Sequence, residues 1–309
     1  MSPERQHSVT VVDVSPRDGL QIEPYLMPTP EKVELVRRLT LAGLRRIEVT
    51  SFVNPARVPQ MADAESLLDA LRDLQGVSLS ALVLNERGFE RALGSGLHEV
   101  TYVVPATDAM AQRNQGADAA TVLAGWRAVA SRAGEAGFHR SVTIAVAFGC
   151  PFEGRVPHDR VVELAMRIRD CGADELSLAD TIGVAAPAEV EDLFAALAGA
   201  VPEMALRAHL HNTRNTGYAN AWAALRAGVR TLDASLGGLG GCPFAPGATG
   251  NIATEDLVYM LERMGMGTGI DAGRLGEGVY WLEERLGRRL PGHCAHVGPA
   301  APAKRGAAA

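Results

Sequence analysis

The sequence predicts an α/β fold, a (β/α)₈ TIM barrel followed by extra C-terminal helices, and three observations favour this fold class. Short apolar, β-branched runs alternate with longer segments that have helical periodicity. About eight such units follow one another over about 250 residues, the usual size of this barrel. Polar residues stand directly after the apolar runs, at the strand ends where barrel active sites lie.

The first half of the chain supplies four units. The predicted strands span residues 9–14, 46–52, 77–84 and 99–104, and the predicted helices span 30–43, 60–74, 86–95 and 117–137. Val9–Val14 is typical of a strand because it is β-branched and almost entirely apolar. Thr29-Pro30 is typical of a helix start, since proline fits the first helical position.

The second half continues the alternation. Its predicted strands span residues 141–148, 175–178, 206–211 and 231–236, and its predicted helices span 158–172, 187–197, 217–227 and 254–264. Residues 271–289 are predicted to form one or two helices outside the repeat. A doubly wound open sheet is the alternative, but no GxGxxG follows the first strand, which weakens its dinucleotide-binding version.

The overall composition is typical of a globular protein and argues against several other classes. The chain has 309 residues, of which 47% are hydrophobic and 21% charged, and this length is ample for a full hydrophobic core. We expect one barrel domain over residues 9–290, an N-terminal tail at 1–8 and a flexible tail at 291–309. A net charge of −6 without a basic stripe argues against nucleic acid as a partner. No apolar run is long enough to span a membrane. Four widely spaced cysteines suggest free thiols in a reducing cytoplasm.

Two histidines follow each other at positions i and i+2 near the end of the seventh predicted strand. His209 and His211 should therefore point to the same side of the strand. Paired imidazoles at a strand end are typical of ligands to one metal ion. The alternative is two polar residues on a half-buried strand.

Charged residues also follow the first two strands. Arg17 and Asp18 lie in a Ser-Pro-Arg-Asp-Gly turn that would hold both side chains over the barrel mouth. Asp18 is a candidate carboxylate ligand, and Arg17 a permanent cation for a developing oxyanion. An ordinary turn with a self-paired Arg and Asp is the alternative. Because side chains alternate along a strand, Glu48 and Thr50 are both expected to face the barrel interior. There Glu48 is either a catalytic group or part of a structural ion pair.

The eighth strand is followed by Gly237–Asn251, which has six glycines and two prolines among its fifteen residues. Such a segment cannot form a regular element, and it could act as a mobile lid. It carries Cys242, whose unperturbed pKa of about 8.5 suits proton donation near neutral pH. Asn251 is either an N-cap of the following helix or a side chain whose carbonyl oxygen binds a metal.

These motifs resemble the 3-hydroxy-3-methylglutaryl-CoA lyase family, within the larger group of metal-dependent barrel lyases related to isopropylmalate and homocitrate synthases. The resemblance runs from about Val9 to about Arg289. It is carried by Ser15–Gln21, Glu48–Val53, Val58–Asp63, Gly149–Gly154, Ser177–Gly183, His209–His211 and Gly237–Leu261. The last block is the most specific, because the corresponding loop of the synthases lacks the cysteine.

The resemblance implies a complete active site. Its implied divalent-metal ligands are Asp18, His209, His211 and Asn251, with Mg²⁺ or Mn²⁺ as the expected ion. Its implied catalytic residues are Arg17 for the enolate, Cys242 for the proton, and Glu48 and Asp180 as supporting or acid/base groups. Expected substrate-binding residues are Gln21, Ser51, Ser177 and Arg214, the last facing a carboxylate or a CoA phosphate unless it is a solvated surface arginine.

The implied reaction is cleavage of 3-hydroxy-3-methylglutaryl-CoA to acetyl-CoA and acetoacetate, which is a step of leucine catabolism. The enzyme is expected to be a cytoplasmic homodimer with an acyl-CoA substrate.

The sequence departs from the family pattern around the mouth of the site. Asn212–Thr216 replaces Asp-Thr-Tyr-Gly-Gln, Ala56-Arg57 replaces Lys-Trp, Ala179 replaces a glycine, and Ile22 replaces an asparagine. The same chemistry, or its reverse, on another branched 3-hydroxyacyl-CoA is therefore a second hypothesis. A non-catalytic barrel that only binds metal or acyl-CoA is a third.

Overall fold

A computed structural model describes residues 8–241 and 250–297, and in this part of the chain eight parallel strands close into a barrel. The barrel strands are Thr10–Asp13, Arg46–Ser51, Ser78–Val83, Glu99–Pro105, His139–Ala145, Glu175–Asp180, Ala205–Leu210 and Thr231–Ala234. The first strand pairs with both the second and the eighth, which closes the sheet. The predicted (β/α)₈ barrel is thereby confirmed, and the open-sheet alternative is wrong.

Helices surround the sheet. The described α-helices are Thr29–Leu41, Ala64–Ala70, Glu86–Ala92, Asp108–Gln115, Ala119–Glu135, His158–Asp170, Pro187–Ala200, Gly217–Arg226, Thr254–Arg263, Ala272–Leu286 and Cys294–Val297. The sequence prediction missed the helix Asp108–Gln115 and a small antiparallel hairpin of Gly149–Cys150 with Gly154–Arg155. None of the helices in the described residues is long and apolar enough to cross a membrane.

The helix His158–Asp170 shows why these segments are helical. Its buried residues Val161, Leu164, Ala165 and Ile168 recur at helical spacing and form one face against the barrel. The chain turns away at Gly172, whose φ of +89° lies in the left-handed region that favours glycine. The same arrangement places each helix outside the sheet and leaves the carboxyl ends of the strands open.

The interior of the barrel contains a network of buried ions in place of the usual apolar layers. Arg207, with 2% of its surface exposed, reaches Glu99 Oε1 at 3.3 Å and Glu175 Oε1 at 3.4 Å, and its Nε donates to Asp233. Arg46 donates to the same two glutamates at 2.8 Å. Burial opposes ionisation of Glu175, but Arg46 and Arg207 outweigh it and hold its pKa at about 2. The network is therefore charged and mutually satisfied.

The prediction that Thr50 faces the barrel interior beside Glu48 is wrong. The pairing with the third strand shifts between these two residues, so Glu48 lies opposite Ser80 but Thr50 lies opposite Ala81. A one-residue shift reverses the faces of a strand. Thr50 accordingly contacts Met61 Sδ at 3.7 Å, outside the sheet. Beyond the irregularity the interior position is taken by Ser51, which lies opposite the cavity-lining residue Leu82.

Residues 291–297, predicted as the start of a flexible tail, instead dock on the barrel. The carboxylate of Asp256 accepts the backbone N–H groups of His293 and Cys294, at 3.0 Å and 2.6 Å. Gly292 donates its N–H to the carbonyl of Gly237 at 2.8 Å. The helix Cys294–Val297 follows directly, because these bonds fix the chain before it. Residues 298–309 lie outside the described part of the chain.

Replacing Arg207 with leucine is expected to destabilise the fold by about 3–5 kcal/mol, because buried carboxylates then lose their shared cation. The urea midpoint of unfolding measures this change. The control is Arg37→Leu, which breaks an exposed pair with Asp73 and should change stability by less than about 1 kcal/mol. Equal midpoints for the two variants would show that the network does not stabilise the barrel.

Candidate active site

The turn after the first strand carries Arg17 and Asp18. Residues Ser15–Gly19 form one turn of π-helix, in which the N–H of Gly19 bonds to the carbonyl of Val14 at 3.1 Å. Isolated π-turns of this kind occur frequently at functional sites. Gly19 suits this close packing, since a Cβ would lie 2.9 Å from Ser235 Oγ and 3.2 Å from Leu239 Cδ2. The turn brings both charged side chains to the carboxyl end of the barrel.

The two histidines lie where the sequence predicted them. His209 and His211 share one side of the seventh strand, and their Nε2 atoms are 3.1 Å apart. Two nitrogen lone pairs at this distance need a proton or a cation between them. His209 Nδ1 lies 2.9 Å from Asp233 Oδ2, so an Nδ1–H donated to Asp233 leaves the Nε2 lone pair of His209 for a metal.

Asp18 and Asn251 complete the cluster. Ligand atoms of Asp18, His209 and His211 all lie within 4.8 Å of one another. Asn251 donates its Nδ2 to Asp18 Oδ2 at 2.8 Å, while its Oδ1 is buried without a hydrogen-bond partner in the described residues. The helix that follows begins after Ala253, so Asn251 is not its N-cap. A carboxylate, two imidazoles and an unpaired amide oxygen form a donor set that fits a divalent cation.

Charge within the cluster is fixed by Arg17. Its Nη1 donates to Asp18 Oδ1 at 2.7 Å and its Nε to Glu48 Oε2 at 2.7 Å. Burial opposes ionisation of Asp18, but the guanidinium outweighs it and holds the pKa of Asp18 at about 2. Glu48 keeps one oxygen, Oε1, without a partner in the described residues. Arg17 is therefore held permanently charged and aimed by two carboxylates.

The two imidazoles have opposite pKa shifts. Burial lowers the pKa of His211 to about 4, with the charge of His209 acting in the same direction. Burial also opposes protonation of His209, but the hydrogen bond to Asp233 outweighs it and raises the pKa of His209. At neutral pH His211 is thus unprotonated and able to act as a ligand or a base.

Sequence analysis missed the two buried residues that orient His209, which are Asp233 and Arg207. Asp233, which orients His209, is itself buried and bonded to Arg207 in the barrel interior. Burial raises the pKa of Asp233, but Arg207 outweighs burial and lowers it, so the carboxylate stays charged. The alternation of Arg207 with His209 and His211 along one strand was a signal that Arg207 faces the barrel interior, but it does not identify Asp233 as the partner.

A cavity of about 680 Å³ opens above the cluster. Its lining includes the charged and imidazole side chains of the cluster together with Gln21: Arg17, Asp18, Glu48, His209, His211 and Asp233. Its size is that of a small-molecule site. The structure therefore combines the predicted Arg17, Glu48 and Gln21 with three of the four predicted metal ligands in a single cavity, with Asn251 bonded to Asp18 behind it.

Other predicted residues stand apart from this cavity. The carboxylate of Asp180 accepts the N–H groups of Val184 and Ala185 at 2.9 Å and 3.0 Å, so it shapes a turn. Ser51 and Ser177 are buried and do not line the cavity. Arg214 donates to the carbonyls of residues 182 and 183 at 2.9 Å. Cys242 lies outside the described residues, and the roles of all these residues stay predictions.

The chain is similar to known proteins over most of its length. A family model described as HMGL-like matches residues 8–277. The chain is 44% identical to (R)-citramalyl-CoA lyase of Chloroflexus aurantiacus, over 96% of both proteins. It is 40% identical to hydroxymethylglutaryl-CoA lyase YngG of Bacillus subtilis, over 92% of this chain and 95% of that protein. The structure of an HMG-CoA lyase from Acinetobacter baumannii in complex with coenzyme A and 3-methylmalate superposes with a TM-score of 0.91 at 37% identity, over 96% of this chain and 97% of that one.

Replacing Asp233 with asparagine is expected to weaken Mn²⁺ binding about 10- to 100-fold, because His209 loses the carboxylate that fixes its orientation. Isothermal titration calorimetry measures the affinity. Asp73→Asn, which removes the same charge from the surface, is the matched control and should bind Mn²⁺ like the unchanged protein. An unchanged affinity in Asp233→Asn would contradict the role assigned to this carboxylate.

Proposed function

This chain belongs to the HMGL-like family, and on that premise we propose that it is a divalent-metal-dependent lyase that releases acetyl-CoA from a 3-hydroxy-3-methyl dicarboxylyl-CoA thioester. The observation that carries the proposal is the convergence of Asp18, His209 and His211 beside Arg17 at the floor of one cavity. The relatives that match over nearly the full chain are CoA lyases by name.

The residues proposed to hold the metal are Asp18, His209, His211 and Asn251. A divalent metal, when bound there, supplies a Lewis acid that lowers the pKa of a substrate hydroxyl. Carboxylate, amide and imidazole donors together suit Mg²⁺ or Mn²⁺. The Oδ1 of Asn251 is buried without a hydrogen-bond partner among residues 8–241 and 250–297, which supports its inclusion because such an oxygen is uncommon in proteins.

Removal of the hydroxyl proton starts the cleavage. Asp18 is unprotonated at neutral pH and faces the cavity, and a carboxylate that gives one lone pair to a metal keeps others, so Asp18 can accept that proton. The bond between C2 and C3 of the acyl chain then breaks. C3 becomes the carbon of a ketone, and the electron pair passes to the thioester as an enolate.

Arg17 stabilises the enolate. Its guanidinium faces the cavity, and burial works against its charge, but Glu48 and Asp18 outweigh burial and raise the pKa of Arg17 further. A fixed cation aimed at a developing oxyanion lowers the barrier without reorganising during the reaction. Cys242 is proposed to return a proton to C2, which yields acetyl-CoA.

3-Hydroxy-3-methylglutaryl-CoA is the first candidate substrate, with acetoacetate as the second product. The resemblance of the motifs supports it, as does the 40% identity to the Bacillus subtilis lyase. (R)-Citramalyl-CoA, one methylene shorter and yielding pyruvate, is the second candidate. The relative at 44% identity favours it. Ile22 and Arg57 line the cavity where the family pattern has an asparagine and a tryptophan, so the mouth of the site differs from that pattern.

The remaining expectations concern the cellular compartment and the oligomeric state of the enzyme. Cys150, Cys171 and Cys294 are free thiols, which supports a reducing compartment such as the cytoplasm. The homodimer implied by the family resemblance stays a prediction.

With Mg²⁺ or Mn²⁺ present, the purified protein is expected to release acetyl-CoA from one of the two candidate thioesters, detected with acetoacetate or pyruvate as the second product.

Arg17→Gln should lower kcat about 100- to 1000-fold, because one oxyanion-stabilising group is lost. The variant should still bind Mn²⁺, because removal of a positive charge beside the site favours a cation and offsets the hydrogen bond that Asp18 loses. Arg37→Gln on the surface serves as the control. The proposal fails if neither thioester is cleaved with either metal.

A further inference from the structure

The charged network inside the barrel reaches from the amino end of the strands to the proposed metal site. Three of its members are the first residues of their strands and therefore lie at the amino end of the barrel: Arg46, Glu99 and Glu175. Arg207 and Asp233 are each the third residue of a strand, and His209 is the fifth residue of the strand that carries Arg207. Consecutive members are joined by hydrogen bonds, so a change at one end can be felt at the other.

The two arginines of this network divide its three carboxylates between them. Arg46 donates to Glu99 Oε2 at 2.8 Å and to the two oxygens of Glu175 at 2.8 Å and 2.9 Å. The Nη1 of Arg207 lies farther from the same two glutamates, at 3.3 Å and 3.4 Å. The shortest bond of Arg207 is the one that its Nε donates to Asp233 Oδ1, at 2.5 Å. The glutamates are thus mainly partners of Arg46, and this leaves Arg207 for Asp233.

The electrostatic environment of Arg207 follows the same division. Burial opposes the charge of Arg207, but Asp233, ahead of both glutamates, outweighs burial and raises the pKa of Arg207. Glu99 and Glu175 are each only 2% exposed, so water cannot replace a cation that they lose. Without Arg46, both glutamates depend on Arg207 for a counterion within residues 8–241 and 250–297. Arg207 would then be shared by three buried carboxylates.

We propose that Arg46, at the amino end of the barrel, is a positioning residue for the metal site at the other end. The inference rests on the proposed function, because it concerns the cation that the proposed lyase requires. While Arg46 holds the glutamates, Arg207 stays on Asp233, and Asp233 fixes the ring of His209 through Nδ1. When Arg46 is lost, the guanidinium of Arg207 is drawn toward the glutamates. Asp233 is then held less firmly, and so is the ring of His209.

Isothermal titration calorimetry with Mn²⁺ at pH 8 tests the proposal. Arg46→Gln is expected to bind Mn²⁺ roughly 3- to 10-fold more weakly, a smaller loss than in Asp233→Asn, which removes the carboxylate itself. Loss of a positive charge would by itself strengthen the binding of a cation, so weaker binding identifies an effect on position. Arg140→Gln is the matched control, because Arg140 pairs with Asp174 near the same end of the barrel. This control should bind Mn²⁺ like the unchanged protein.

Two double variants distinguish positioning from a general structural effect. Adding Glu99→Gln to Arg46→Gln removes one carboxylate for the one cation lost, and should restore the Mn²⁺ affinity to within about twofold of the unchanged protein. In an Asp233→Asn background, Arg46→Gln should weaken Mn²⁺ binding no further, because the connection to His209 is already broken. A merely structural effect of Arg46 would persist in that background.

The inference is overturned if Arg46→Gln binds Mn²⁺ as tightly as Arg140→Gln does, or if its effect persists in the Asp233→Asn background. Should Arg46→Gln fail to fold, Arg46→Lys gives the same test, because an ammonium group cannot reproduce the forked bonds of a guanidinium to two carboxylates. Failure of the proposed function is a separate result, since Mn²⁺ binding is measured without turnover. Mn²⁺ binding that depends on Arg46, without cleavage of either thioester, overturns the lyase assignment alone.

Discussion

The hydrogen bond between His209 and Asp233, supported by the ion pair of Asp233 with Arg207, is the interaction on which the site depends. It connects a metal-binding imidazole to the buried charges of the barrel interior. A histidine ligand needs its second nitrogen fixed, because this sets both the tautomer and the direction of the lone pair. On the opposite side of the cluster, Arg17 fixes Asp18 in a similar way. The donor atoms are thus positioned by buried ion pairs on rigid strands and one tight turn.

Much of the fold and the centre of the site could be predicted from sequence, since both depend on local periodicity. Alternation of apolar runs and helical segments predicted the barrel. The spacing of His209 and His211 placed both rings on one face, and the rule for strand ends brought them together with Asp18. Asn251 lies 233 residues from Asp18 in sequence, and its place beside that carboxylate came from the family resemblance rather than from spacing.

The remaining features depend on contacts between distant segments, which periodicity does not encode. Arg207 and Asp233 lie within runs that resemble apolar strands, and only the closed barrel shows that they pair. Thr50 was misplaced because an irregularity in strand pairing leaves no clear mark in one sequence.

The most direct test of the account is anomalous diffraction from crystals soaked with Mn²⁺. The account predicts one strong peak between His209 Nε2, His211 Nε2 and the Asp18 carboxylate, with bond lengths of about 2.0–2.3 Å and the oxygen of Asn251 as a further ligand. A peak elsewhere, or no peak at saturating Mn²⁺, would contradict the claim that these side chains form the metal centre.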